Sequence, residues 1–364
     1  MACAGIRSRR SRADQPRQYY ATGPPAVLPS APPRARPARR APSLTTPSLA
    51  RIVKEMAITD SHLHLITANM LRRARERAQP YRKQALAAAR FRGKTFEERL
   101  KELEGYTLEE HARQWLEAFD TAGVDVGAFI AVGEGNEELA QFVALHPDRF
   151  AGWGSLADPG HPDAARTVAR FPALGLHGLK LYPPIQRFLA NDRALYPIYE
   201  VAAETGLPIL FHFGITVGNF YDLTYASPLP LSAPAKEFPE VTFIIAHFGA
   251  GFLRETLFLA YHTENVCVDT SGTNNWRLYY PGEPSLEAVF RDALRAFGPS
   301  RVLFGTDSTF FGGYRHHILK EQLDILARLD LPPADLELII WGNAQRVLRL
   351  PTSTASRRDT PPQS

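Results

Sequence analysis

The chain has 364 residues, 45% of them hydrophobic, which is enough to bury a large core in one large α/β domain or two ordinary domains. The formal net charge is +4, but residues 1–50 contribute +8 through nine arginines and one acid, so the remainder carries −4. This mildly acidic remainder argues against a nucleic-acid surface. The chain has only two cysteines, which argues against a disulfide framework, and it has no run of 18 apolar residues, which argues against a membrane span.

Residues 1–55 are rich in Arg, Pro, Ala and Ser and show no helical or strand periodicity, so we expect a disordered leader. Three interpretations remain open: a misassigned start with Met56 as the initiator, a solvated tail, or an organelle transit peptide. Residues 56–350 are expected to form the folded domain, and residues 351–364 a second disordered tail. The absence of a recognisable secretory signal favours a cytoplasmic protein.

From Ala57 onward, short apolar runs alternate with amphipathic helical stretches, which is typical of βα units around a parallel sheet. Thr107 and Glu110 form an N-capping box, and Gly206 followed by Pro208 ends the helix before the fifth strand. The predicted strands are residues 57–62, 124–131, 150–155, 176–182, 208–212, 241–247, 265–270 and 301–306. Eight strands with intervening helices predict a (β/α)8 TIM barrel.

Residues 66–105 form a basic insertion between the first strand and its helix, and we expect it to contain one or two helices. A loop that leaves the first strand of such a barrel rises over the carboxyl-terminal mouth, where barrel active sites lie. The insertion is therefore either a lid over the active site or a helix pair exposed to solvent or to another subunit.

The first strand carries Asp60, His62 and His64, which share one face if side chains alternate along it. Two imidazoles at this spacing can direct ring nitrogens at one divalent ion. Later strands also end in polar groups, which are Lys180, His212, His247, Asp269 and Asp307. Because all these ends meet at one rim of a barrel, the sequence predicts a metal site there.

The motifs TDSHLHL, GLKLYPP, LPILFHFG, VTFIIAHFGAG, RVLFGTDS and WGNAQRVL, in this order, resemble the amidohydrolase superfamily. They are most similar to its amidohydrolase-2 branch, which includes the aminocarboxymuconate-semialdehyde decarboxylase group. The resemblance implies that His62, His64 and His212 bind the metal, with Asp307 as a further ligand that also moves a proton. His247 then contacts the attacking water or substrate, or binds a second ion. By analogy with the family, a homodimer is expected.

We assign Asp60 the task of orienting a metal-binding histidine, because a carboxylate behind such a ring fixes its tautomer. Lys180 has two interpretations: it pairs with a carboxylate of the substrate or has a structural role, or, as the resemblance to binuclear members of the superfamily implies, it is carbamylated and bridges two ions. Side chains after the strand ends are candidates for the pocket wall, namely Tyr182, Phe220, Tyr221, Trp276, Arg277, Phe310, Phe311 and Arg315. Aromatic walls with a few cations suit a planar acid. His111 is expected on a helix surface.

Three histidines and an aspartate suit zinc best, with manganese or iron as alternatives. A bound divalent ion lowers the pKa of its water to ~7, which predicts a hydrolase of an amide, ester or lactone acting on a small molecule. The alternative is a non-oxidative decarboxylase of an aromatic or unsaturated carboxylic acid, which uses the same ligands. A non-catalytic barrel that binds a ligand is the third hypothesis.

Overall fold

The computed structural model describes residues 56–76, 78, 93–216, 221–309 and 312–351. The predicted leader, residues 352–364 of the predicted tail, most of the middle of the insertion, and Phe220, Phe310 and Phe311 lie outside these ranges. In the described ranges, no helix combines the length and the apolar character that crossing a membrane requires.

A nine-stranded parallel sheet forms the centre of the molecule, with the strand order β8-β7-β6-β5-β4-β3-β2-β1-β9. The strands are β1 (Thr59–Leu65), β2 (Val126–Ala131), β3 (Phe150–Ser155), β4 (Gly178–Leu181), β5 (Ile209–Phe211), β6 (Phe243–Ile245), β7 (Val266–Asp269), β8 (Val302–Leu303) and β9 (Ser308–Thr309). All eight predicted strand positions are confirmed, although the observed strands mostly begin or end one to two residues inside the predicted ranges.

Of the last predicted strand, 301–306, only Val302–Leu303 forms a strand, β8, and β9 follows beyond the predicted range. Asp307 adopts a left-handed backbone with φ 56°, which interrupts the extended conformation between the two pieces. β8 pairs with β7, and β9 pairs with β1. Two backbone hydrogen bonds join the intervening segment to β1, from Ser61 to the Phe304 carbonyl at 2.9 Å and from Asp307 to the His62 carbonyl at 2.9 Å. These bonds close the sheet into the predicted barrel.

Helices surround the sheet and follow the predicted pattern. They are α1 (Ala68–Glu76), α2 (Phe96–Leu103), α3 (Leu108–Ala122), α4 (Asn136–Leu145), α5 (Ala164–Ala169), α6 (Pro183–Gln186), α7 (Tyr196–Thr205), α8 (Ser232–Glu237), α9 (Leu253–His262), α10 (Leu286–Phe297), α11 (His316–Arg328), α12 (Pro333–Glu337) and α13 (Asn343–Val347). The capping box of Thr107 and Glu110 begins α3, and Gly206 with φ 69° ends α7, as predicted.

His111 on α3 is buried, so its predicted surface position is wrong. The helix periodicity was correct, but Tyr106 covers this side of α3, with its ring centroid 5.5 Å from the His111 ring. A packing contact of this kind is not visible in the helical pattern itself.

The amino-terminal end of the barrel is filled with apolar side chains. Ile130, Trp153, Leu210 and Ile244 point into the barrel and pack with Val347 of α13 in one cluster. A filled lower end leaves only the carboxyl-terminal rim for polar groups, which is where barrel folds place their active sites.

Candidate metal and active site

Side chains from four separate parts of the barrel meet at the carboxyl-terminal rim. His64 Nε2 lies 3.0 Å from Asp307 Oδ1, and His62 Nε2 lies 3.8 Å from the same oxygen. The ring centroid of His247 lies 4.8 Å from that of His62 and 4.8 Å from that of His212. The structure therefore brings together five of the residues that the sequence nominated for the metal and its surroundings, namely His62, His64, His212, His247 and Asp307.

The donor atoms at this rim fit a divalent metal. Ligand atoms of His62, His64 and Asp307 all lie within 4.8 Å of one another. His62 Nε2 and His212 Nε2 are buried, and neither has a hydrogen-bond partner within the described residues. Leaving a buried polar nitrogen without a partner costs free energy, and a metal ion at the rim would remove this cost.

The charge states at the rim also suit metal binding. Burial, reinforced by the cationic Lys180, lowers the pKa of His62 to about 3, and burial with neighbouring imidazoles lowers the pKa of His212 well below its usual value. Burial alone would raise the pKa of Asp307, but the His64 hydrogen bond and the nearby imidazoles outweigh it and hold the pKa well below the ordinary value. Neutral imidazoles and an ionised carboxylate are the forms that bind a metal.

Asp60 does not contact a histidine ring, contrary to its predicted task. The pairing register between β1 and β2 shifts between Asp60 and Leu63, so side-chain alternation is interrupted along the strand. The Asp60 carboxylate accepts hydrogen bonds from Thr306 Oγ1 at 2.5 Å and from Tyr314 Oη at 3.0 Å. Burial raises its pKa to about 7. Asp60 thus supports the segment that carries Asp307.

A different carboxylate, that of Asp269, contacts the His62 ring. Asp269 Oδ2 lies 2.8 Å from His62 Nδ1, while Oδ1 accepts hydrogen bonds from the backbone N–H groups of His247 and Ser271 at 2.8 and 3.0 Å. The Ser271 hydroxyl also donates to Oδ1 at 2.5 Å. The position of Asp269 at a strand end was visible in the sequence, but nothing there distinguished its role from that of Asp60, and Ser271 gave no signal.

Lys180 at the end of β4 is fully buried. Its Nζ has no hydrogen-bond partner within the described residues and lies 4.8 Å from the centroid of the Tyr182 ring. Burial lowers its pKa to about 7, although the negative charges of Asp269 and Asp307 oppose this shift. The site therefore holds an amine that no carboxylate among the described residues neutralises by direct contact.

A cavity of about 320 Å³ opens onto the rim. Its wall includes Tyr182 and Tyr221 together with His64, Ala74, Ala78, Ala131, Val132, Gly133, Glu134, Ser155, Leu156, Ala157, Ile185, Gln186, His212, Thr216, His247 and Asp307. The chain thus provides an aromatic and polar pocket above the candidate metal ligands, and this size suits a small molecule.

Two of the predicted wall residues lie elsewhere. Trp276 lines a separate surface groove, and the Arg277 guanidinium is held by the carbonyl of Asn274 at 3.2 Å and that of Pro284 at 2.9 Å. Asn274 has a left-handed backbone with φ 52°, and the 3-10 helix Asn275–Tyr279 that follows carries both side chains away from the cavity. Arg315 does reach the site, where its Nη1 donates to Asp307 Oδ2 at 3.0 Å.

A family model described as Amidohydrolase matches residues 59–350, which is most of the chain. The chain belongs to the amidohydrolase-2 family. The predicted resemblance is therefore confirmed, and with it the membership of an enzyme family.

Solved structures with the same fold are distant in sequence from this amidohydrolase-2 protein. An uncharacterised TIM-barrel protein from Bordetella bronchiseptica is 23% identical, with 81% of this chain and 99% of that chain covered and a TM-score of 0.55. A 5-carboxyvanillate decarboxylase from Novosphingobium aromaticivorans, complexed with manganese and 4-hydroxy-3-methoxy-5-nitrobenzoic acid, is 15% identical (82% and 97% covered, TM-score 0.60). An amidohydrolase from Burkholderia multivorans with bound zinc is 16% identical (81% and 100% covered, TM-score 0.56).

Two residues of the insertion of this amidohydrolase-2 protein line the cavity. They are Ala74 in α1 and Ala78, two residues after the end of α1. A Cβ at Gly133, in the loop after β2, would lie 2.6 Å from the Met70 carbonyl oxygen and 2.7 Å from the Ala74 nitrogen. Gly133 thus allows α1 to pack directly against the barrel beside the cavity.

Gly133→Ala is expected to displace α1 and to raise KM about tenfold, which corresponds to a loss of about 1.4 kcal/mol in binding. Gly175→Ala is the matched control, since Gly175 also has a positive φ, of 73° against 62°, but a Cβ there meets no atom within 4 Å. Steady-state kinetics on a substrate found by screening measures the effect. Equal KM values for the two variants would show that α1 does not shape the cavity.

Proposed function

We propose that this amidohydrolase-2 protein is a metal-dependent carboxy-lyase that removes a carboxyl group, without oxidation, from a small aromatic or unsaturated carboxylic acid. The observation that carries the proposal is the buried amine of Lys180, which has no hydrogen-bond partner within the described residues. Its pKa, lowered to about 7 by burial, shows that its positive charge is poorly compensated. A substrate carboxylate beside Lys180 would supply the missing negative charge.

His62, His64, His212 and Asp307 would hold the ion in this proposal. Three imidazoles and a carboxylate favour zinc by ligand chemistry, while the carboxyvanillate decarboxylase of similar fold holds manganese. When bound, the ion would act as a Lewis acid on a substrate oxygen and neutralise negative charge as it develops. Tyr182 and Tyr221 of the cavity wall would pack against a planar ring.

The preference for decarboxylation over hydrolysis is supported by the surroundings of Asp307. Hydrolysis needs a group that takes a proton from water, and Asp307 is the predicted one. Arg315 Nη1 donates to Asp307 Oδ2 at 3.0 Å, and the nearby imidazoles hold the pKa of Asp307 well below its ordinary value. Such a carboxylate is a weak base.

Decarboxylation makes a different demand on the protein. The bond between the carboxyl carbon and its neighbour breaks, the electron pair stays on the neighbouring carbon, carbon dioxide leaves, and that carbon takes one proton. Lys180 is suited to deliver the proton, because a pKa of about 7 leaves roughly half of its amine protonated at neutral pH.

Hydrolysis of an amide, ester or lactone is the second candidate function. The observation in its favour is the same lowered pKa of Lys180, because a neutral amine can add carbon dioxide, release one proton to solvent and become an anionic carbamate, which would serve as a metal ligand. The amidohydrolase of similar fold from Burkholderia multivorans holds zinc.

An activity screen in oxygen-18 water separates the two reactions. We expect the protein, loaded with zinc or manganese, to release carbon dioxide from one of a panel of hydroxybenzoic and unsaturated acids, without oxygen-18 in the organic product. Incorporation of one oxygen-18 atom into the product of an ester, amide or lactone would instead establish the hydrolase. Mass spectrometry of the product and an enzymatic assay for carbon dioxide provide both readouts.

A further inference from the structure

We propose that Asp269 and Ser271, at the end of β7, form a hydrogen-bonding template that fixes the tautomers of His62 and His212, so that each ring keeps Nε2 unprotonated for the metal. The inference deepens the proposed function, because it rests on these two histidines being metal ligands. Asp269 and Ser271 are positioning residues in this proposal, since neither needs to touch the substrate.

The first arm of the template acts on His62 directly. Asp269 Oδ2 lies 2.8 Å from His62 Nδ1, and Asp269 Oδ1 accepts three other hydrogen bonds. A carboxylate surrounded by donors in this way only accepts hydrogen bonds. His62 Nδ1 must therefore carry the proton of the neutral ring. Nε2 is left with its lone pair, and it is the nitrogen that lacks a partner within the described residues.

The second arm reaches His212 through His247. His247 Nδ1 lies 2.8 Å from the Ser271 hydroxyl oxygen and 3.1 Å from the Ser271 carbonyl oxygen. The carbonyl only accepts, and the hydroxyl donates its single proton to Asp269 Oδ1, so His247 Nδ1 carries the proton. His247 Nε2 is then an acceptor, and its neighbour at 3.1 Å is His212 Nδ1, which must donate. His212 Nε2 keeps its lone pair, and it too is buried without a partner within the described residues.

The orientation of the Asp269 carboxylate is itself fixed. Three donors converge on Oδ1, namely the backbone N–H groups of His247 and Ser271 and the Ser271 hydroxyl. In Asp269→Asn these donors would hold the amide oxygen at the Oδ1 position, so the amide NH2 would face His62 Nδ1. Nδ1 would then have to accept a hydrogen bond, the proton would move to Nε2, and His62 would lose the lone pair that binds the metal.

The test combines metal affinity with the direct observation of tautomers. Nitrogen-15 NMR of the histidine rings in the metal-free wild-type protein should show His62, His212 and His247 protonated at Nδ1. Competition of zinc with a chelating dye should show metal binding about 100-fold weaker in Asp269→Asn, at the upper end of the ~10–100-fold range for partners of metal-binding side chains. The His62 signal of this variant should change to the form protonated at Nε2.

Two further variants grade the effect. Ser271→Ala removes one of the three donors to Asp269 Oδ1 and the hydroxyl contacts to His62 Nδ1 at 3.0 Å and His247 Nδ1 at 2.8 Å. It keeps both backbone donors, Asp269 Oδ2 and the Ser271 carbonyl, so we expect a loss in affinity of about tenfold or less. Thr270→Val is the matched control, because Thr270 is a buried neighbouring hydroxyl that bonds to Gln322 at 2.6 Å and to the backbone of Gly305 at 3.2 Å. Its metal affinity should stay within about twofold of the wild type, since neither hydrogen bond involves the template.

Some outcomes would overturn the template. Protonation of His62 or His212 at Nε2 in the wild-type protein contradicts it whether or not any variant folds. So does an Asp269→Asn variant that keeps its affinity and tautomers, or a Thr270→Val variant that loses as much affinity as Asp269→Asn. Because both readouts need no substrate, they remain valid if the activity screen finds no carboxylic acid that is turned over, and that result would contradict the proposed function alone.

Discussion

His212→Ala is expected to abolish metal binding and turnover together. Its Nε2 is a buried nitrogen without a hydrogen-bond partner within the described residues, and no other described side chain in the cavity wall is placed to replace it as the metal ligand that follows β5. The ion supplies several kcal/mol of stabilisation to the charge that develops in the transition state. Since each 1.36 kcal/mol is a factor of ten, we expect kcat/KM to fall about 1000-fold or more.

The measurement is the metal content of the purified protein, by atomic emission, beside kcat/KM with excess zinc or manganese. His161→Ala is the control, because His161 is exposed, lies just before α5 and does not line the cavity. A His212→Ala variant with full metal content and full activity would remove His212 from the ligand set. Circular dichroism of both variants distinguishes loss of the ion from loss of the fold.

Lys180→Met is expected to change stability and activity in opposite directions. The pKa of Lys180 is lowered from 10.5 to about 7 in the folded protein, so below pH 7 the buried amine is charged and destabilises the fold. Between pH 7 and 10.5 the unfolded chain binds more protons than the folded one, and the stability of the wild type rises with pH. Methionine removes this cost, which is up to about 5 kcal/mol below pH 7.

Activity should respond in the opposite sense. Without the cation, a carboxylate substrate loses its partner, and without the amine the carbon loses its proton donor, so we expect kcat/KM to fall at least about 100-fold. Denaturant unfolding of the metal-free protein from pH 6 to pH 10 and kinetics of the metal-loaded protein measure the two effects. Lys320→Met, at an exposed position on α11, is the control and should alter neither. An unchanged kcat/KM in Lys180→Met would contradict the proposed role of Lys180.

The strand pattern and the metal-site residues could be predicted because they follow from local rules. An apolar run of five to eight residues predicts a buried strand, and a polar residue at its end predicts a side chain at the barrel rim. His62, His64, His212, His247 and Asp307 are all of this kind, and the structure brings them together. Neither rule requires knowledge of which strand ends face each other.

Some predicted positions and roles differ from those in the structure. They depend on contacts between segments that are distant in the sequence. Asp60 and Asp269 are both aspartates at strand positions, and only the register shift in β1 and the turn after β7 decide which one meets His62. The pairing of Arg315 with Asp307 likewise depends on the path of the chain after β9. Trp276 and Arg277 were misplaced because a left-handed residue, Asn274, redirects their loop.

The junction between β1 and the segment from β8 to β9 links the stability of the barrel to metal binding. Asp307 lies in the segment that joins the last strands of the barrel to the first. Its backbone N–H donates a hydrogen bond to β1, the strand that carries His62 and His64. An ion bound by residues on both sides of this junction would link the last strands of the barrel to the first. Opening of the junction would then be coupled to release of the ion. A free ion concentration 100 times the dissociation constant would therefore raise the free energy of opening by about 2.7 kcal/mol.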